Sequence, residues 1–266
     1  MSDDPILKRY DLARQFAVQA GQLTLNYFQS DRYQVERKGD KSPVTIADRE
    51  AEQLLRKQIA SHFPDDAIVG EEFGVQAGSS GFRWILDPID GTKSFISGVP
   101  LYGTMIGVDQ ADECQIGVVY IPGLNEGIYA CAGQGCWHFR GSEPPTRATV
   151  SHRSLSDGVF VTSEVAGFAK RGAAQAYADL EQLAYVSRTW GDCYGYMLVA
   201  TGRVELMVDP QMNIWDAAAI KPIMEEAGGC FTDWQGVPTI HSGEGIGCNP
   251  VVFEEVLEIT RKFPAG

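Results

Sequence analysis

Apolar residues recur with two different periods along this chain, and the change of period divides it. Near the start, Asp3-Asp4-Pro5 offers a capping carboxylate followed by proline at the first helical position. Leu12, Phe16, Ala20, Leu23 and Tyr27 then follow helical spacing, which predicts a first helix. A second helix is expected from about Thr45, with Ala47, Ala51, Leu54, Leu55 and Ile59 as its buried stripe. From Ala67 to Phe139 the pattern shortens. Strand-like runs at Ala67–Val69, Trp84–Leu86, Tyr102–Val108, Gln115–Ile121 and Glu126–Ala130 stand between Gly, Pro and Asp turns. They predict a mostly antiparallel sheet.

The second half alternates again. Helices are expected at Ala173–Leu183, Tyr194–Thr201 and Asp216–Ala227, the last closed by Gly228-Gly229. Strands are expected at Val204–Val208 and Cys230–Trp234. The polar stretch from Gly141 to Arg153 is the candidate boundary between two lobes, 1–145 and 146–266, of a single domain. Helices layered with sheets predict an α+β sandwich.

Composition changes this picture only in its chemistry. The 266 residues are 44% hydrophobic and 21% charged, which is ordinary for a globular chain. The net charge of -13 argues against nucleic acid or an anionic membrane as partner and suits a protein that gathers carboxylates around divalent cations. No apolar run is long enough to span a bilayer, and Met1 to Pro5 do not resemble a signal peptide. The six cysteines contain no CxxC pair, so reduced thiols in a cytoplasmic protein are expected.

Four segments carry candidate chemistry: Lys38–Asp48 (KGDKSPVTIAD), Gly70-Glu71-Glu72, Trp84–Thr92 (WILDPIDGT) and Ile214–Ala217 (IWDA). Trp84, Ile85 and Leu86 read as a strand, so Asp87 should sit at its end. Pro88 has no N–H to donate, so pairing is expected to stop there. The Asp90-Gly91 turn then lets Asp87 and Asp90 face one space with backbone carbonyls between them. Such oxygens suit a hard cation such as magnesium. Gly91-Thr92 opens a short helix whose free N–H groups can hold a phosphate. Each piece has an ordinary alternative: Asp-Gly is a common turn, Glu71-Glu72 a solvated pair, Asp216 a helix cap, and Thr45-x-x-Asp48 a capping box. It is their order along one chain that makes the ordinary readings improbable together.

That order resembles the inositol monophosphatase superfamily from about Tyr10 to Val256, through GEE, DPIDGT and the late Trp215-Asp216. The resemblance implies a layered α-β-α-β-α sandwich of the inositol monophosphatase / fructose-bisphosphatase type and a magnesium-dependent phosphomonoesterase. It implies two or three Mg2+ ions held by Glu71, Asp87, Asp90 and Asp216, with the Ile89 carbonyl and the Thr92 hydroxyl contributing. It also implies a catalytic group of Asp48, Glu71 and Thr92, in which an Asp48–Thr92 hydrogen bond helps activate the attacking water. None of His62, His138, His152 and His241 lies in these motifs, so none is assigned a role.

Arg188–Tyr196 (RTWGDCYGY), Pro100–Thr104 and Asp209-Pro210 resemble the histidinol-phosphate phosphatase branch more than the inositol branch. This implies hydrolysis of L-histidinol phosphate in histidine biosynthesis. Substrate contacts are expected at Asp90, Gly91, Thr92, Arg188, Asp192 and Asp209. An aspartate at 192 suits a cationic amine or imidazolium better than a polyol. The alternatives are an inositol-1-phosphate or broader sugar monophosphatase and, in another class, a non-catalytic metal-binding regulatory protein. Family resemblance and the aromatic-rich second lobe also suggest a homodimer.

Overall fold

Asp4 starts the first helix: its carboxylate accepts from the Ile6 N–H at 2.9 Å, with Pro5 at the first helical position. This computed structural model describes residues 4–31, 34–37, 39 and 43–264. Asp3, the other expected capping carboxylate, lies outside the described residues. Helix α1 (Pro5–Thr24) buries Phe16 and Ala20, with Leu12 and Leu23 half-buried. Tyr27 falls in the turns that follow the helix. Helix α2 (Ile46–His62) opens with a capping box in which Thr45 and Asp48 satisfy each other's backbone. Its buried stripe holds Ala47, Ala51, Leu55 and Ile59 as expected, and also Asp48 and Glu52.

The strands are β1 (Glu36–Arg37), β2 (Pro43–Val44), β3 (Ala67–Gly70), β4 (Gly74–Gln76), β5 (Phe82–Asp90), β6 (Gly103–Gln110), β7 (Glu113–Ile121), β8 (Glu126–Cys131), β9 (Gly135–Arg140) and β10 (Thr146–Arg147) in the first half. The second half adds β11 (Val159–Val161), β12 (Val186–Arg188), β13 (Leu206–Asp209), β14 (Cys230–Thr232) and β15 (Gly245–Cys248). Its helices, after α3 (Thr92–Ile96), are α4 (Val165–Lys170), α5 (Ala174–Leu183), α6 (Asp192–Ala200), α7 (Ile214–Ala218), α8 (Ile220–Glu226) and α9 (Phe253–Thr260). Strands β10-β9-β8-β7-β6-β5-β3-β4 form an eight-stranded sheet, antiparallel except where β3 meets β5. Strands β12-β11-β13-β15-β14 form a mixed sheet of five.

Alternation along the strands stacks these sheets into layers. On β5, Trp84 and Leu86 face α1 and α2, whereas Ile85 faces a core shared with α6, α7 and α8. On β13, Met207 joins that same central core, whereas Leu206 and Val208 face α5 and α9. Helix, sheet, helix, sheet, helix is the α+β sandwich that the sequence suggested.

Two expectations are corrected. The single helix over 216–227 is two helices joined at Ala219, because Pro222 cannot donate to the Ala218 carbonyl four residues before it. Strand β5 also does not end at Pro88. Its ladder to β6 breaks between Asp87 and Asp90 and resumes at Asp90–Gly103, while the Thr104 hydroxyl donates to the Pro88 carbonyl at 2.9 Å. The proline interrupts the pairing without ending it.

The α7–α8 junction lies unusually close to the large sheet because two strand residues there lack side chains. A Cβ on Gly107 would meet the Ala218 Cβ at 2.7 Å, and one on Gly117 would meet the Ala219 carbonyl oxygen at 2.0 Å. This approach seats α7, and with it Asp216, against β5 and β6. Gly117→Ala should therefore push the junction outward and destabilise the fold by about 1–3 kcal/mol. Urea unfolding followed by circular dichroism measures this, and an unchanged midpoint would show that the contact is not tight.

Candidate active site

The irregular end of β5 builds the centre of the site. Asp87 Oδ1 accepts from the Ile89 N–H at 3.0 Å, which fixes a carboxylate just where the ladder breaks. Gly91 takes a left-handed conformation at φ 83°, and α3 begins at Thr92. The Thr92 hydroxyl donates to the Ile89 carbonyl at 3.2 Å and reaches Asp48 Oδ1 at 3.5 Å. Asp48 keeps that oxygen available because its Oδ2 is occupied by the Thr45 N–H and hydroxyl at 2.8 and 2.6 Å. Asp216 repeats the device on α7, where its Oδ2 accepts from the Asn213 N–H at 2.6 Å in a second capping box. Carboxylate oxygens of Asp87, Asp90 and Asp216 lie within 4.8 Å of one another.

Glu71 enters from the turn after β3. Its N–H donates to the Leu86 carbonyl at 3.2 Å, next to Asp87. A residue that sequence reasoning passed over shapes this turn. Glu52 of α2 is fully buried and accepts from the Glu72 and Phe73 N–H groups at 2.7 and 3.3 Å, with Arg56 on its Oε1 at 2.7 Å. A Cβ on Gly70 would collide with this carboxylate, so glycine there is a condition of the turn. The available signal was spacing: Glu52 lies four residues after Asp48, on the same helix face.

The charges are poorly solvated and mutually repulsive. Burial, followed by the charges of Glu71 and Asp90, pushes the Asp87 carboxyl well above the usual range. Burial, followed by Asp192 and Asp216, does the same to Asp90. Burial raises Asp48 to about 6 and Asp216 to about 6. An all-oxygen donor set of this kind, with no basic side chain in ion-pair contact with Asp87, Asp90 or Asp216 among the described residues, fits hard divalent cations.

A cavity of about 190 Å³ opens beside the cluster, lined among others by Asp90, Lys93, Glu164, Asp192, Asp209 and Asp216. Ser163 ties two of these together: its Oγ accepts from the Asp192 N–H at 2.8 Å and its N–H donates to Asp209 Oδ1 at 3.0 Å. A Cβ on Gly91 would stand 2.8 Å from Asp192 Oδ2, so Asp192 reaches the edge of the cluster. Burial raises Asp209 to about 7. Arg188 is exposed, donates to the Ser187 carbonyl at 2.7 Å, and does not line the cavity. The four histidines also stay outside it. Lys38 and residues 40–42 of the first candidate segment lie outside the described residues. Lys93, Ser163 and Glu164 were not anticipated, because none belongs to an acidic motif.

The inositol monophosphatase family model matches residues 7–264. The chain belongs to the inositol monophosphatase family. A histidinol-phosphatase of Chlorobaculum parvum is 46% identical over 235 residues, covering 88% of this chain and 89% of that protein. A histidinol-phosphatase of Mycobacterium tuberculosis is 34% identical, covering 97% of this chain and 98% of that one. Among solved structures, the Thermotoga maritima IMPase superposes with a TM-score of 0.84 at 32% identity, covering 96% of this chain and 98% of that chain. The extragenic suppressor protein suhB of Bartonella henselae gives a TM-score of 0.86 at 27% identity, covering 95% and 98%.

The shifted carboxyls set a pH dependence for the metal-free chain. Asp48 and Asp216 at about 6 and Asp209 at about 7 bind protons in the folded state that they release when unfolded. Between roughly pH 4 and pH 7 the folded state therefore holds more protons, and stability falls as pH rises through that window. Glu126 and Glu164, held at about 2, act in the opposite sense, but their effect is confined to the acid side of about pH 5, where the unfolded glutamates still take up protons. Chelator-treated protein should melt several degrees lower at pH 7.5 than at pH 5, and Mg2+ should raise the melting temperature more at pH 7.5. A flat profile with no effect of Mg2+ would refute the crowded cluster.

Proposed function

We propose that this chain is a magnesium-dependent phosphomonoesterase that hydrolyses L-histidinol phosphate to L-histidinol and phosphate, in histidine biosynthesis. The observation that carries the reading is the pair of carboxylates, Asp192 and Asp209, that Ser163 holds in the cavity beside the Asp87–Asp90–Asp216 cluster. Neither belongs to the cluster, and a leaving alcohol bearing an amine and an imidazole gives both a partner. Histidinol-phosphatases at 46% and 34% identity over most of the chain support the same substrate.

Two or three Mg2+ ions would be held by Glu71, Asp87, Asp90 and Asp216, with the Ile89 carbonyl and the Thr92 hydroxyl. When bound they lower the pKa of water and stabilise the charge on the leaving oxygen. The chain's own residues do the rest. Asp48, anchored by Thr45, aligns the Thr92 hydroxyl and is the base for the proton of the attacking water. Asp90, Gly91 and Thr92 bound the phosphate, and Asp192 and Asp209 orient the alcohol. No covalent nucleophile is needed. We take the chain as one cytoplasmic phosphatase domain. We take it also as a homodimer, which the exposed side chains of Tyr185 (78%) and Trp190 (43%) support. Sedimentation at micromolar concentration should give about twice 29.1 kDa, and a lone monomer would overturn the dimer.

A charge-assisted hydrogen bond contributes about 1.5–3 kcal/mol, and roughly 1.4 kcal/mol is already tenfold. We therefore expect kcat/KM for histidinol phosphate to exceed that for inositol 1-phosphate at least tenfold, measured by phosphate release. Asp192→Asn should shrink the ratio. A parent preference for inositol 1-phosphate would sink the substrate assignment, and an equal loss on both esters would make Asp192 a support of the metal site.

A further inference from the structure

Among the described residues, Lys93 is the one basic side chain lining the acidic cavity. It stands on α3, directly after Thr92, and its Nζ reaches Glu164 Oε2 at 2.8 Å. Glu164 precedes α4, so this ion pair crosses from the half of the chain that holds most of the cluster to the half that holds Asp192 and Asp209. The other Glu164 oxygen meets Lys170 Nζ at 2.8 Å. The Lys93 charge also lowers the Asp192 carboxyl against the rise caused by burial. One ammonium thus pairs with the cavity carboxylate of Glu164 and shares the cavity wall with Asp192, in the space where the proposed substrate would bring its own cation.

This pair is exposed to solvent. The Lys93 side chain is 73% exposed and that of Glu164 is 42% exposed. Exposed ion pairs of flexible side chains are weak and open readily. The buried acids elsewhere are treated differently. Asp66 is held by both arms of Arg9, by Trp84 and by Ser80, and Glu205 by Arg153, Ser151 and the Val159 N–H. Those carboxylates are locked, whereas Glu164 holds its cation on a four-carbon stem that can swing away.

We propose that Lys93 is an internal stand-in for the substrate's cation: its ammonium is paired with Glu164 beside Asp192 in the free enzyme and is displaced by the ammonium or imidazolium of the leaving alcohol. Glu164 then joins Asp192 as a specificity-determining residue. A neutral alcohol has nothing to exchange, so it leaves Lys93 in place and gains no partner from Glu164. A cationic alcohol takes over the carboxylates and frees Lys93, whose charge then favours the phosphate end of the same substrate. The proposal rests on histidinol phosphate being the substrate, and it adds residues and an order of events to that reading.

Removing the stand-in has effects of opposite sign on the two halves of the substrate. In Lys93→Met, L-histidinol should bind roughly two- to fivefold tighter, the range set by loss of one exposed competing ion pair. Inorganic phosphate should bind more weakly, because the cavity has lost its positive charge. Both are read as inhibition constants against one phosphate ester in the parent, the variant and Lys93→Arg, which keeps the charge and should behave as the parent does. Glu164→Gln should lower the ratio of kcat/KM for histidinol phosphate over inositol 1-phosphate. Weaker or unchanged histidinol binding in Lys93→Met overturns the proposal, as does an unchanged ratio in Glu164→Gln. If the parent enzyme itself shows no preference for histidinol phosphate, the substrate reading fails first. Preference in the parent with no gain in Lys93→Met sinks the stand-in alone.

Discussion

Carboxylates that repel one another in a poorly solvated place are the constraint on which this fold turns. The protein has an established way of burying acids. Asp66 is paired with Arg9, Glu126 with Arg203 and Arg140, Glu205 with Arg153, and Glu244 with Arg171. No arginine or lysine pairs with Asp87, Asp90 or Asp216 among the described residues, and burial together with neighbouring charge pushes all three upward. Asp48 and Asp209, also buried and without a basic partner, border the same place. A protein that gives Asp66, Glu126, Glu205 and Glu244 an arginine each and leaves these neighbouring acids without one leaves room there for a cation from outside. Holding the acids together without one costs stability, since each charged form is disfavoured by desolvation and by its neighbours. The tight seating of the α7–α8 junction on Gly107 and Gly117 maintains the arrangement against that repulsion.

Most of the site was legible because its carboxylates stand at ends of secondary structure. A strand running into proline, an Asp-Gly turn and two capping boxes all leave marks in sequence. The ordinary and the chemical readings of Asp48 and Asp216 were framed as alternatives, and the structure joins them. In each residue one carboxylate oxygen caps its own helix, at 2.6 Å from Thr45 Oγ1 or from the Asn213 N–H. In Asp48 the other oxygen remains for Thr92. Capping immobilises the side chain, and an immobilised carboxylate is what a defined site needs. A local motif at a helix start is thus the means by which the site is held.

What was not legible depended on partners far apart in sequence. Strands β11 and β12 have three residues each, too few to show a period. The break at Ala219 followed from Pro222, a local signal that the apolar run around it outweighed. Glu52 was hidden for a different reason: its work is done on backbone N–H groups twenty residues later, after β3 has returned the chain to α2. Glu164 and Lys93 meet across 71 positions, and nothing in either neighbourhood marks the other.

The halves of the chain divide the labour, though not cleanly. The first half contributes Asp48, Glu71, Asp87, Asp90 and Thr92, and the second adds Asp216 to the cluster and Ser163, Glu164, Asp192 and Asp209 to the cavity wall. One contact ties the cavity wall to the cluster directly: the Cys193 N–H, at the start of α6, donates to Asp90 Oδ2. Asp192, the residue before it, holds the positive backbone angle of φ 54° that this turn requires. A backbone change at position 192 is therefore felt one residue later at a carboxylate of the cluster. A substitution at 192 thus risks the Cys193–Asp90 contact along with the wall. That leaves positions further from α6, such as Glu164 on the α4 side, as the freer place to adjust which alcohol the cavity accepts.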